Sequence, residues 1–77
     1  MSERLGPIKR RDFIRKLRGL GFEGPFAGGR HMMMVRGEDA LPLPGDREYS
    51  PGMHRRLLAE IETILRRKIS REEWGEL

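Results

Sequence analysis

Apolar residues recur at Phe13, Ile14, Leu17 and Leu20 within KRRDFIRKLRGLG, residues 9–21. With 3.6 residues per turn those positions share one side, so the pattern predicts an amphipathic helix that Gly19 and Gly21 bring to an end. The period then shortens. Phe22 to Phe26 and His31 to Arg36 read as strands joined across Ala27-Gly28-Gly29, a hairpin signal, although Pro25 weakens the first of them. Gly37-Glu38-Asp39 predicts a second turn into Ala40 to Pro44, and Pro42, which has no N–H for a ladder, assigns this strand to a sheet edge.

Ser50-Pro51 then supplies an N-cap and a proline at the first helical position. Met53, Leu57, Leu58, Ile61, Ile64 and Leu65 gather on one side of the helix that follows, which the pattern extends to about Lys68, with Arg55, Glu62 and Arg66 opposite. Ser70-Arg71-Glu72-Glu73 is a capping box and predicts a short terminal helix whose Trp74 closes one end of the core. The predicted architecture is α+β: helix, three antiparallel strands, helix and a small helical tail, with the helices on one face of the sheet. The chain reads as a single domain over residues 1–77, with 1–8 a flexible N-terminus.

In Met32-Met33-Met34-Val35 alternate side chains point to opposite faces, only one of which the helices cover. Exposed methionine is adaptable interface material, which suggests a protein partner or self-association through this strand. A tail or loop folded over the sheet is the competing expectation.

Composition narrows the function. A chain of 77 residues buries only about 60% of its unfolded surface and holds no large cofactor cleft. The absence of cysteine removes disulfides, thiolate chemistry and Cys-based zinc sites, and fits a reducing cytoplasm. The two histidines, His31 and His54, have no metal-ligand spacing, so neither metal nor cofactor is expected. No apolar run reaches the roughly 20 residues of a membrane span, and MSERLGPIKRR lacks the apolar segment of a signal peptide.

Charge is uneven: residues 1–36 carry nine Lys/Arg against three Asp/Glu, residues 37–51 one against four. Thirteen of the sixteen basic residues are arginine, whose planar fork suits phosphate and points to a polyanion such as nucleic acid, genome composition or heat adaptation being the competing explanation. On the first helix Arg11, Arg15 and Arg18 fall opposite Phe13 and Leu17, a stripe able to track phosphates or simply to be solvated.

His31 begins the second strand beside Gly28 and Gly29, whose missing side chains let a substrate backbone approach, and next to Arg30. An imidazole exchanges a proton near neutrality, and a guanidinium stabilises charge on a phosphate. In RNA cleavage the ribose 2′-hydroxyl supplies the nucleophile, so the protein need only move protons, steady charge and align groups. His31 is also compatible with an amphipathic residue at a strand edge. His54 shares a helical angle with Leu58, Ile61 and Leu65, which predicts a half-buried packing role. It and Lys16 are the candidates for a second proton-transfer group, while Glu60 and Glu62 read as surface charges.

With these residues placed, the chain resembles the HicA family of small toxins from toxin–antitoxin pairs. RRDFIRKLRGLGFE, Arg10 to Glu23, is similar to the family's first helix and the strand after it; GGRH, Gly28 to His31, to its Gly-x-His element; and ISREEW, Ile69 to Trp74, to its closing turn. Arg30 stands where members commonly carry serine, and Pro42 to Ser50 lacks the further histidine many carry. The resemblance implies a double-stranded-RNA-binding-like α-β-β-β-α fold and a type II toxin that cleaves mRNA without metal. It also implies His31 as the catalytic residue, Gly29 before it, and a HicB-like antitoxin as partner. The readings beside it are a non-catalytic RNA-binding module and a pure protein-interaction module of the same fold.

Overall fold

In the computed structural model, which describes residues 5–77, Ile8–Lys9 (β1) leads directly into α1, Arg10–Gly19. Its apolar residues Phe13, Ile14 and Leu17 are buried, as the spacing predicts. The glycine-rich region folds into β2 (Glu23–Gly28), β3 (His31–Arg36) and β4 (Asp39–Leu43), an antiparallel meander in the order β2-β3-β4. The first strand starts and ends later than Phe22 to Phe26 suggests, because a bulge between Glu23 and Phe26 carries pairing past Pro25 as far as Gly28. Pro42 lies on the edge strand, where its missing N–H costs no ladder bond.

After β5 (Glu48–Tyr49), the Ser50 side chain accepts a hydrogen bond from the Met53 amide and starts α2, Pro51–Leu65. This helix ends short of Lys68, where Arg66 takes the left-handed conformation (φ 61°) of a C-cap. The Ser70 hydroxyl accepts from the Glu73 amide and begins α3, Arg71–Glu76. The fold is thus α+β, with a three-stranded antiparallel sheet and a C-terminal helix.

The helices cover one face of the sheet. Met34 and Leu41, register partners on β3 and β4, are buried with Leu43 against Phe13, Leu17, Leu57 and Ile61. Phe13 meets Tyr49 and Trp74 edge-on, with ring centroids 5.5 and 5.7 Å apart, so Trp74 closes the core as expected. The opposite face, which carries Phe26, Met33 and Val35 by strand parity and register, is partly open, with Phe26 50% exposed. Because β3 lies between β2 and β4, both its backbone edges are paired; self-association through Met32 to Val35 has only side chains to use.

Residues 1–4 of the N-terminus expected to be flexible lie outside the described residues. Residues 5–8 correct that expectation. Leu5 and Ile8 are buried in the core, and β1 pairs with β5 through Ile8↔Tyr49 and Lys9↔Glu48. Among the described residues no helix is long and apolar enough to cross a membrane, and no three His, Asp or Glu side chains gather as a metal site.

Candidate functional site

Gly28-Gly29-Arg30-His31 is the turn between β2 and β3, in which Gly28 pairs with His31. Gly29 has φ +75° while Arg30 does not take a positive φ, the pattern of a type II′ turn with glycine at its first central position. Gly28 is required for packing, since a Cβ there would collide with the Met33 side chain. That corrects the expectation that Gly28 leaves room for substrate: its space belongs to Met33, and only Gly29 stands in the open.

The turn presents His31 as an exposed residue on the rim of a cleft of about 330 Å³ between the end of the sheet and α2. Pro42, Leu43 and Pro44 form the strand side. Met53, Arg56, Leu57 and Glu60 form the helix side, a stripe at i, i+3, i+4 and i+7 of α2. Leu57 is buried and fixes the stripe to the core, whereas Arg56 and Glu60 are exposed at its border. The cleft therefore offers an imidazole, a guanidinium and a carboxylate on a partly apolar floor. A cation and two groups able to carry protons are what transfer of a phosphoryl group to a neighbouring hydroxyl requires.

The arginines singled out in the sequence lie elsewhere. Arg30 is exposed at the tip of the turn and is not among the cleft residues. Arg15 donates to the Leu77 carbonyl at 2.8 Å, and Arg18 donates twice to the Gly24 carbonyl, at 2.8 and 3.2 Å. These two act as ties between α1 and its neighbours, which corrects the picture of a free phosphate-tracking stripe. Arg11 lines a separate hollow with Lys9, Arg10, Arg47 and Glu48. The cleft's own cation, Arg56, is not singled out by the sequence, and its carboxylate, Glu60, reads there only as a surface charge. The available signal was their spacing of three and seven from Met53, at the border of an apolar stripe.

Neither candidate for the second proton-transfer group reaches the cleft. His54 is buried at 4% exposure, and its Nε2 lies 2.9 Å from Trp74 Nε1. An indole N–H only donates, so Nε2 holds the lone pair and Nδ1 carries the hydrogen, donating to the Gly6 carbonyl at 2.9 Å. Burial lowers the pKa of His54, with Lys16 and Arg71 adding to the effect and the Gly6 bond opposing it. It is a neutral core histidine, more buried than the helical angle suggests. Lys16 donates to the Trp74 carbonyl at 2.6 Å and lies 5.4 Å from the centre of a Trp74 ring, and burial, followed by Arg15, lowers its pKa.

Compared with models of known protein families, with curated proteins and with solved structures, the chain matches none.

Proposed function

We propose that this protein is a metal-independent endoribonuclease acting on mRNA, the toxin of a type II toxin–antitoxin pair, with His31 as its catalytic residue. The observation that carries the reading is the exposed His31 on a cleft lined also by Arg56 and Glu60. The helix, three-strand, helix order and the arginine-rich surface support it, and so does the resemblance of GGRH and ISREEW to HicA toxins.

In the reaction the ribose 2′-oxygen attacks the adjacent phosphorus and the P–O5′ bond breaks, leaving a 2′,3′-cyclic phosphate and a 5′-hydroxyl. One group takes the 2′-hydroxyl proton and another returns a proton to the departing 5′-oxygen. His31 carries one of these transfers and Glu60 the other, while Arg56 balances charge on the phosphoryl oxygens. Arg56 takes the role that sequence alone suggests for Arg30. The protein partner is a HicB-like antitoxin, for which Phe26, Met33 and Val35 offer an apolar surface.

The test is an RNA-degradation assay in EDTA with parent and His31→Ala protein. The parent is expected to cut and the variant to lose about 10²–10⁴-fold in rate while keeping its fold. A variant that cuts as fast as the parent removes His31 from the reaction. A parent that binds RNA without cutting it leaves a binding module.

A further inference from the structure

The hollow around Arg11 and Arg47 is distinct from the His31 cleft and is not used by the proposed chemistry. It measures about 480 Å³ and is lined by Lys9, Arg10, Arg11 and Arg47 against one carboxylate, Glu48. Two chain segments gather it. Lys9, Arg10 and Arg11 follow one another through the junction of β1 and α1. The β1–β5 ladder and a 2.8 Å bond from the Arg10 amide to the Arg47 carbonyl bring the second segment alongside. Glu48 is the register partner of Lys9. Among the described residues no ion pair engages Lys9, Arg10, Arg11 or Arg47. Four like charges brought together by the backbone repel one another, and an anion with several oxygens relieves that repulsion.

The hollow adjoins the cleft. Arg10 Nε donates to the Pro44 carbonyl at 3.3 Å, and Pro44 itself lines the cleft beside His31. From Pro44 the chain runs three residues to Arg47, a span of at most about 10 Å.

We propose that this hollow is a phosphate-binding subsite that grips the RNA backbone a short distance from the bond cut at His31. The proposal rests on the ribonuclease reading and gives it a strand path, from the basic hollow past Pro44 into the cleft. Arg11 and Arg47 are its working residues, because both are exposed and no other described side chain holds either of them. Arg10 is partly committed to Pro44.

The experiment measures fluorescence anisotropy of a 2′-O-methylated RNA oligonucleotide, which binds but has no nucleophile, across a salt series. It uses the parent, an Arg11→Gln/Arg47→Gln double variant and an Arg66→Gln/Lys68→Gln double variant that removes the same charge elsewhere. The first pair is expected to weaken binding on the order of tenfold and to flatten the salt slope by about 0.7 for each phosphate no longer neutralised, and the second to change neither. Equal losses from both pairs would reduce the effect to net charge and overturn the subsite, as would parent-like binding by the first pair or no RNA binding at low salt. The two proposals fail separately. Cleavage that needs His31 but ignores Arg11 and Arg47 sinks only the subsite, whereas binding that needs the arginines, with cleavage indifferent to His31, sinks only the ribonuclease reading.

Discussion

His31 and His54 are the same side chain at opposite extremes of this small fold. His54 is sealed beneath α3, with one nitrogen accepting from Trp74 and the other donating to Gly6. His31 stands exposed at a hairpin end, and among the described residues no side-chain hydrogen bond holds its ring. A histidine whose nitrogens are both consumed by the core has no lone pair or proton to offer a substrate. One on a cleft rim keeps both. The contrast teaches that exposure and unspent hydrogen-bonding capacity, more than residue type, separate a chemical histidine from a packing one.

The largest expected effect comes from exchanging the fates of the two. His31→Ala should lose about 10²–10⁴-fold in RNA cleavage while its unfolding free energy, from urea denaturation, moves by no more than about 0.5 kcal/mol, the usual range for a surface substitution. His54→Ala should do the reverse. It opens a cavity beside Phe13 and strands the Trp74 N–H and the Gly6 carbonyl, at a cost of about 2–5 kcal/mol. Loss of cleavage in His54→Ala under conditions where it remains folded would break the comparison.

A smaller effect isolates one hydrogen bond. Trp74→Phe keeps an aromatic ring in the core but removes the indole donor, leaving His54 Nε2 buried without its partner. The expected cost is about 1–3 kcal/mol by urea denaturation, partly from the smaller ring. If the same substitution in a His54→Leu background costs as much, the Trp74–His54 bond contributes nothing and His54 is only a space-filler.

Much of the fold was legible because its determinants are local. The period of Phe13, Ile14 and Leu17, the cap at Ser50, the glycines of the first turn and Pro42 on an edge each act within a few residues. What was illegible depends on residues far apart in the chain. The β1–β5 bridge joins Ile8 to Tyr49 through strands of two residues, too short for an alternation to appear. A helical wheel places Arg15 and Arg18 on an outer face but does not show that the carbonyls of Leu77 and Gly24 come within reach of them. The cleft follows the same rule: His31 was found from its own neighbours, while Arg56 and Glu60 reach it only because α2 packs along the edge strand.

The last expected effect concerns pH and is carried by His54. Burial lowers its pKa from the ordinary 6.5, and the cations facing it, Lys16 from α1 and Arg71 from α3, act in the same direction, against the hydrogen bond to Gly6. In the window from about 6.5 down to the folded-state pKa the unfolded chain therefore binds more protons than the folded one, so stability falls as pH falls. The contribution is whole above that window and is lost as pH drops through it, because a protonated Nε2 would face the Trp74 N–H donor to donor. Urea midpoints measured from pH 7.5 to 5.5, above the range in which the lowered carboxylate of Glu73 titrates, should decline for the parent and stay level for His54→Gln. A slope that survived the loss of His54 would show that the proton is taken up elsewhere and that the bond from Trp74 does not keep this imidazole neutral.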